Sequence, residues 1–425
     1  MITAANYPSF PTAARLCHRL FRWPRVSRRT FGESPLWSIA CAWLLAAPAI
    51  ISAPAHASPA LDQAERAICG KQLVLIGEAD HGDGATVEFK AALVQRLISS
   101  CGFNALYFEA GTYDFLKLEE LVRARQPVGE AMISSAIGAL WNRDEEMAPL
   151  VRFLLPRVNS GELRIGGIDD QIGSIGAFYS LDQLPTDLAA VLPQARQGDC
   201  REQLLRRANY DYSDEHPHDA AAIARLDRCL AEVEQHLVPA ARKGDRLAVD
   251  RLQMATEFRR AIARDFLPFP EFIRRRDQAM SENLRWLMNH ARANQKTIVW
   301  TANAHAAKSP AVSSDYAKHP NLGTLVHQAY GSRAFALGIS AAGGSHYWSR
   351  KEPLRPIPEV APDSVEALAL KGSAEDSVYV PAERLRELGP APGSFDRHQP
   401  HRARWDEIFD GAVILRAERA PMRKP

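Results

Sequence analysis

The sequence has no excess of charge of either sign, and this limits the classes of partner. Its 52 Lys and Arg residues are balanced by 50 Asp and Glu residues, and outside the N-terminal segment the basic residues do not cluster. No nucleic-acid partner is therefore expected. We find no internal repeat and no long low-complexity tract. The chain has 425 residues, of which 46% are hydrophobic, so it is long enough to bury a sizeable core.

Several catalytic and cofactor motifs are also missing. There is no H-E-x-x-H metalloprotease motif, no G-x-x-x-x-G-K-[ST] phosphate loop and no G-x-G-x-x-G dinucleotide fingerprint. The stretch GISAAG at 338–343 departs from the nucleophile elbow G-x-S-x-G at its fifth position. The spacing of the cysteines fits no zinc module. The chemistry has to be sought in residues that the fold brings together.

The first 57 residues have the pattern of an export signal. Six arginines precede an apolar run at 35–53, and Ala55-His56-Ala57 then fits an A-x-A cleavage site. The stretch SRRTF at 27–31 resembles a twin-arginine signal. Cleavage after Ala57 would remove six arginines and one glutamate, which changes the formal charge from +2 to −3. We expect a periplasmic or secreted mature protein without a membrane anchor.

Four cysteines remain in the mature chain, and in an oxidising compartment an even number predicts disulfides. They are Cys69, Cys101, Cys200 and Cys229, which allow three pairings. Cys69 precedes the first predicted strand, and Cys101 ends the helix that returns to the same edge of the sheet. The other two both lie in a predicted helical region. We therefore favour the pairs Cys69–Cys101 and Cys200–Cys229.

The pattern from residue 72 onward predicts an α/β fold with a largely parallel, doubly wound sheet. QLVLIG (72–77) is a continuous apolar run, as in a strand covered on both faces, and ATVEFKAALVQRLISS (85–100) has helical spacing. FNALYFEAG (103–111) completes a βαβ unit, which has parallel strands. Further strand candidates lie at 162–169, 297–305, 333–340, 377–381 and 411–417.

The segment 182–292 differs from the rest of the chain. It has no clear strand and has the spacing of long amphipathic helices, so we predict an inserted all-helical subdomain. The insertion divides the α/β domain into an N-terminal part, 58–181, and a C-terminal part, 293–425.

Polar side chains follow five of the predicted strands, and ligands of open α/β sheets bind at the carboxyl ends of the strands. In chain order they are Glu78, Asp80 and His81, then Glu109, then Asp169 and Asp170, then Asn303 and His305, then His346. A histidine flanked by carboxylates is held in one tautomer and can take a proton from water. We predict that Glu78, His81, Glu109 and His305 are the catalytic set.

A second set is predicted to bind substrate, and the question of a metal stays open. The substrate-binding set is Lys90, Asp169, Arg276, Asn303 and His346, in which Lys90 or Arg276 would stabilise an oxyanion. The expected reaction needs no cofactor. As an alternative, the two histidines and two glutamates of the catalytic set could hold a divalent metal ion.

At these residues the chain resembles the erythromycin esterase family. The family's G-E-x-x-H-G turn is matched by GEADHG at 77–82, and its basic position nine residues after the histidine is matched by Lys90. The family's R-D-x-x-M-x-x-N helix matches 276–283, and its strand W-A-H-N-A-H resembles WTANAH at 300–305. Gly102, Phe103, Leu106 and Glu109 match a further strand, Gly167-Ile168-Asp169 another, and the likeness runs from roughly residue 70 to roughly residue 420 in the family's order.

The resemblance implies an α/β hydrolase of small-molecule esters or lactones. His81 would be the general base, Glu78 and Glu109 its essential partners, and His305 would complete the cleft, in a hydrolysis generally regarded as metal-independent. Ala302 replaces a family histidine, and Lys90 replaces an arginine whose planar fork is thereby lost. With the predicted export, these departures leave open whether a macrolide is the substrate. The alternative hypothesis is a periplasmic protein of the same fold that binds a ligand or haem and has lost catalysis.

Overall fold

A seven-stranded sheet forms the centre of the protein. In the computed structural model the described residues are 58–142, 144–172, 178–291, 293–312, 319–347 and 353–422. The predicted export signal, 1–57, lies outside them. The strands are β1 (Leu73–Ile76), β2 (Ala105–Gly111), β3 (Arg164–Asp169), β4 (Thr297–Trp300), β5 (Ala334–Ala341), β6 (Ser345–His346), β7 (Arg355–Pro356), β8 (Ser377–Pro381), β9 (Pro390–Asp396), β10 (Gln399–Arg404) and β11 (Gly411–Leu415).

The order of the strands is β3-β2-β4-β1-β5-β11-β8. All neighbours pair in parallel except β8, which runs antiparallel to β11. Every residue of β1 to β5 is buried, as expected for strands that helices cover on both faces. Strand β1 lies between β4 and β5, so the chain passes from β1 to β2 and β3 on one side of it and later crosses from β4 to β5 on the other side. The predicted largely parallel, doubly wound sheet is therefore confirmed.

Helices cover the two faces and fill the long connection between β3 and β4. They are α1 (Pro59–Ile68), α2 (Gly84–Cys101), α3 (Thr112–Arg123), α4 (Glu130–Ile137), α5 (Ala148–Asn159), α6 (Gln183–Ala189), α7 (Gln194–Ala208), α8 (Ala220–Arg242), α9 (Arg246–Ile262), α10 (Phe269–Asn289), α11 (Asn303–Ala306), α12 (Leu322–Tyr330), α13 (Val365–Leu370), α14 (Ala382–Leu388) and α15 (Trp405–Ile408). Helix α2 ends where Gly102 adopts the left-handed conformation (φ 73°), which is the helix end predicted from the sequence.

Helices α6 to α10 form the helical insertion: α6 to α9 share an apolar core with Tyr113 and Leu116 of α3, whereas α10 packs its buried apolar residues against the sheet. Asp170, which follows β3, ties this insertion to the sheet. Its carboxylate accepts hydrogen bonds from both terminal nitrogens of the buried Arg264, one of them at 2.7 Å, and from Nε of Arg260 at 3.3 Å. Helix α10 then packs against β3 and brings the predicted Arg276 to the rim of the sheet.

Both favoured disulfides are present in the structure. Cys69 is bonded to Cys101 with Cα atoms 5.0 Å apart, and Cys200 is bonded to Cys229 with Cα atoms 5.5 Å apart. The first bond closes α1 onto the end of α2, and the second joins α7 to α8. Within the described residues, no helix combines the length and the apolar character that a bilayer crossing requires.

Candidate active site

Glu78 is the centre of a hydrogen-bond network at the carboxyl end of β1. Its fully buried carboxylate accepts from Nδ1 of His81 at 2.7 Å and from Nε1 of Trp141 at 2.9 Å on one oxygen. The other oxygen accepts from the ammonium of Lys90 at 2.6 Å. A buried carboxylate needs partners of this kind to offset the loss of hydration. Glu78 is thereby fixed in place, and it fixes the ring of His81 in turn.

Gly77 allows the backbone to pass close to Asn303 immediately before Glu78. A Cβ atom at residue 77 would lie 2.0 Å from Oδ1 of Asn303, so only glycine allows the close approach. The amide of Asn303 donates to the carbonyls of Ile339 at 2.7 Å and Phe395 at 2.8 Å. Asn303 was predicted to bind substrate. In the structure its buried side chain joins three segments of backbone behind the site.

Lys90 is buried completely beneath Glu78, rather than facing a cleft. Its ammonium donates to Glu78 and to the carbonyl of Thr301 at 3.1 Å, and it lies 4.3 Å from the centre of the Trp300 ring. Burial lowers the pKa of Lys90, while the charge of Glu78 acts in the opposite direction. Lys90 was predicted to stabilise an oxyanion, but in this geometry it reaches a substrate only through Glu78.

His81 is the group of this network that solvent reaches, since 19% of its side chain is exposed. Its ring meets the Trp141 ring edge to face, with centroids 5.4 Å apart. Burial would lower the pKa of His81, but the hydrogen bond and the charge of Glu78 outweigh burial and raise it above the usual value. Because Glu78 accepts from Nδ1, Nε2 is the nitrogen at which proton transfer to and from the ring would occur.

A second buried network contains Glu109, Asp169, Arg276 and His305. Arg276 on α10 donates to Glu109 at 2.8 Å and, through two nitrogens, to Asp169 at 3.0 and 2.7 Å. Glu109, at the end of β2, also accepts from the hydroxyl of Thr301 at 2.7 Å and from the backbone N–H of Ala302 at 3.0 Å. The predicted residues at the ends of β2 and β3 thus converge on one guanidinium.

His305 lies on α11 and is held from both sides. Its Nδ1 is 2.7 Å from Asp277, and its Nε2 is 3.4 Å from Glu109 and 3.2 Å from Arg276. Burial would lower the pKa of His305, but Asp277 and Glu109 raise it well above its usual value. Nε2 of His305 therefore has both Glu109 and Arg276 within reach: it donates to Glu109 when the ring is protonated and accepts from Arg276 when the ring is neutral.

The charge of Glu109 follows from the same neighbours. Burial would raise the pKa of Glu109, but the cations of His305 and Arg276 hold it well below its usual range. Thr301 links the two networks, because its hydroxyl donates to Glu109 while its carbonyl accepts from Lys90. All four residues of the predicted catalytic set are therefore connected by a short series of hydrogen bonds, and His81 is the most exposed of the four.

His346, predicted to bind substrate, lies outside these networks. Its Nδ1 is 3.5 Å from Asp80, and its ring centre is 4.6 Å from that of His398. Asp80 also lies beside His81 in the loop after β1. Burial would raise the pKa of Asp80, but its bond to His346 and the charge of His81 lower it.

The predicted alternative metal ligands form two separate pairs in the structure. Glu78 is paired with His81, and Glu109 with His305. Lys90 already balances the first carboxylate, and Arg276 balances the second. In the part of the chain that the structure describes, a different group has three ligand atoms close enough together for one ion, namely Asp83, His346 and His398. The two carboxylates of the predicted metal-binding set are therefore each already paired with a positively charged side chain of the protein.

Three supporting residues had no assigned role in the sequence interpretation. Trp141 donates to Glu78, Thr301 joins the two networks, and Asp277 orients His305. Asp277 could have been found, because it follows the predicted Arg276 in a helix motif. Trp141 lies in a loop far along the chain, and no local pattern marks its indole as a hydrogen-bond donor to Glu78.

Comparisons with known proteins agree with this architecture. YbfO of Bacillus subtilis (strain 168), a protein assigned as a hydrolase, is 23% identical over 353 residues, which are 74% of this chain and 75% of that protein. A crystal structure of a Bacillus cereus protein superposes with a TM-score of 0.66 at 17% identity and covers 86% of this chain and 93% of that one.

Two other solved structures share the fold. A succinoglycan biosynthesis protein has a TM-score of 0.65 at 15% identity, over 86% of this chain and 92% of that one. A mutant of the erythromycin esterase EreC in its open conformation has a TM-score of 0.63 at 15% identity, over 85% of this chain and 94% of that one. The family model named Erythromycin esterase matches residues 98–409. This match covers well over half of the sequence, and the chain belongs to the erythromycin esterase family.

Proposed function

We propose that the protein is an exported hydrolase of small-molecule carboxylic esters or lactones, in which His81 is the general base. The observation that carries the proposal is the 2.7 Å bond from Nδ1 of His81 to the buried Glu78, combined with the partial exposure of the same ring. Membership of the family supports a hydrolase. The two disulfides support an oxidising compartment, as export would provide.

The reaction begins with water next to His81. Nε2 takes one proton from the water, and the hydroxide oxygen attacks the carbonyl carbon of the ester. The carbonyl double bond opens to a tetrahedral oxyanion. When the oxyanion collapses, the bond to the leaving oxygen breaks, and the imidazolium returns its proton to the departing alkoxide. Water and ester give acid and alcohol, or the hydroxy acid in the case of a lactone.

The two buried networks have positioning roles in this proposal. Glu78 holds the ring of His81 in one tautomer and stabilises the imidazolium that forms during the reaction. Lys90 keeps Glu78 in place as its counter-ion. The guanidinium of Arg276 is 10% exposed, so it is the cation of the second network that could approach an oxyanion. Arg276 would supply the positive charge that the oxyanion requires, and the proposed mechanism uses no metal.

The test is hydrolysis by the His81→Ala variant. We expect the purified wild type to cleave members of a panel of p-nitrophenyl esters and macrocyclic lactones. His81→Ala should lower kcat/KM by about 100-fold to 10,000-fold. The control is His236→Ala, which alters an exposed histidine on α8 and should leave the rate unchanged. Full activity in His81→Ala would refute the assignment of the base. A Soret band on addition of haem, without hydrolysis of any ester, would favour the haem-binding alternative.

A further inference from the structure

Three buried side chains from distant parts of the sequence meet beside the loop that carries His81. Asp83 immediately precedes α2, His346 ends β6, and His398 lies in the turn between β9 and β10. Their exposed fractions are 0%, 6% and 1%. One ligand atom from each residue lies within 4.8 Å of the ligand atoms of the other two. We call this group the D-H-H cluster.

The contacts within the D-H-H cluster leave part of the hydrogen-bonding capacity unused. Nε2 of His398 is 2.9 Å from a carboxylate oxygen of Asp83. Nδ1 of His346 lies 3.5 Å from a carboxylate oxygen of Asp80, whereas the buried Nδ1 of His398 has no hydrogen-bond partner among the described residues. Buried polar atoms are nearly always satisfied, so the Nδ1 atom of His398 indicates a missing partner at this cluster.

The electric charges around the cluster point to a cation as that partner. Asp80 and Asp83 are both buried, and the backbone N–H of Asp80 donates to the Asp83 carboxylate at 2.8 Å. Neither carboxylate has a Lys or Arg contact in the part of the chain that the structure describes. In contrast, the buried Glu78 has Lys90 as its partner.

The backbone around His398 is held in an uncommon conformation that turns this residue inward. Arg397 and His398 have φ angles of 49° and 55°, in the left-handed region that residues other than glycine rarely adopt. The N–H of Arg397 donates to the carbonyl of Ala79 at 2.9 Å, so the turn is tied to the loop between Glu78 and His81. Positive φ angles at both central residues are those of a two-residue type I′ hairpin turn, which here connects Asp396 to Gln399.

We propose that Asp83, His346 and His398 bind a divalent transition-metal ion of the zinc class, with Asp80 beside it. Two imidazoles and one carboxylate are a common three-ligand set for zinc, which leaves a fourth position for water or for Asp80. Two ligand atoms on a tetrahedral zinc ion lie roughly 3.3–3.4 Å apart, so ligand atoms that now lie within 4.8 Å of one another would move closer together when the ion binds.

The proposed ion has a structural role close to the reaction site. It would join the loop after β1 to β6 and to the turn between β9 and β10, and thereby fix the position of His81. It is distinct from the metal alternative considered from the sequence, which uses His81 itself.

Metal content and metal affinity test the proposal independently of any hydrolysis. The full chain, purified after export, is analysed by inductively coupled plasma mass spectrometry, and chelator-treated protein is titrated with Zn²⁺ by calorimetry. The key variant is the double substitution His346→Gln/His398→Gln. The matched control is His327→Gln, which alters another His–Asp pair, with Nε2 of His327 3.0 Å from Asp410. His81→Gln serves as the second control.

We expect about one Zn²⁺ per wild-type chain and an affinity at least roughly 100-fold weaker in the double variant. The two controls should bind Zn²⁺ like the wild type. X-ray absorption of the Zn²⁺-loaded wild type should show two imidazole nitrogens at about 2.0–2.1 Å, a readout that does not depend on how the variants fold. Wild-type protein that binds no Zn²⁺ would overturn the proposal. Loss of Zn²⁺ in His81→Gln with retention in the double variant would also overturn it.

Discussion

The buried pair of Glu78 and Lys90 leads to a sharp prediction about stability. Glu78→Gln keeps the size of the side chain and removes its charge, which leaves the ammonium of Lys90 buried without a counter-ion. Removing one partner of a buried pair typically costs about 3–5 kcal/mol. Because the free energy of unfolding of a typical domain is about 5–15 kcal/mol, the loss should be easily measured.

The double variant Glu78→Gln/Lys90→Met separates the effect of the stranded charge from the effect of lost hydrogen bonds. Methionine has a similar length and no charge, so we expect the double variant to regain most of the stability that Glu78→Gln loses. The measurement is urea unfolding followed by circular dichroism at neutral pH, analysed as a double-mutant cycle. The control cycle uses the more exposed pair Lys117–Glu120, for which a coupling of at most about 1 kcal/mol is expected.

Two outcomes would refute this reasoning. One is a loss below about 1 kcal/mol in Glu78→Gln, which is the range of an exposed pair. The other is a double variant that is no more stable than Glu78→Gln. Either result would mean that Lys90 is not held as a buried cation by Glu78.

Three further predictions follow from other parts of the structure. Asp277→Asn should lower the pKa of His305, as measured by NMR. In the folded wild type the pKa of His305 is raised, so the charged ring stabilises the protein fully below about pH 6.5, and this stabilisation is lost as the pH rises through the folded-state pKa. In Asp277→Asn the folded-state pKa of His305 is lower, so the same stabilisation should be lost at a lower pH. An unchanged pKa would contradict this. Replacing Cys69 and Cys101 by serine should cost about 3–4 kcal/mol in urea unfolding, because the bond closes a separation of 32 residues; no change in the midpoint would contradict it. Asp170→Asn should cost about 3–5 kcal/mol by the same assay, since it leaves a buried guanidinium without its partner, and a loss typical of a surface pair would contradict that.

Most of the sheet could be predicted from the sequence, because most of its strands have a recognisable local pattern of apolar residues. The apolar run at 72–77 and the strands at 377–381 and 411–417 are all found close to their predicted bounds. The predicted strand 297–305 is shorter in the structure and ends at Trp300, after which Asn303 and His305 lie on a short helix. The hairpin of β9 and β10 was missed, because glycine and proline interrupt the alternation by which strands are recognised.

The candidate site could be predicted only in part. The rule that ligands bind at the carboxyl ends of strands was sufficient to select Glu78, His81, Glu109 and His305. It could not predict which of them solvent reaches, because that depends on packing between distant segments. Lys90 lies on the buried face of α2, and nothing in the spacing of the helix distinguishes a buried lysine with a partner from one at the edge of a cleft.

The pH dependence of hydrolysis, compared with the NMR titration of the His81 ring, tests the central claim most directly. If His81, held by Glu78, is the base, kcat/KM should rise as the ring loses its proton, with one shared pKa above about 6.5. Glu78→Gln should lower the kinetic pKa and the NMR pKa together. A rate that does not change through the titration of His81, or a kinetic pKa that stays in place while the ring's pKa falls, would contradict the account.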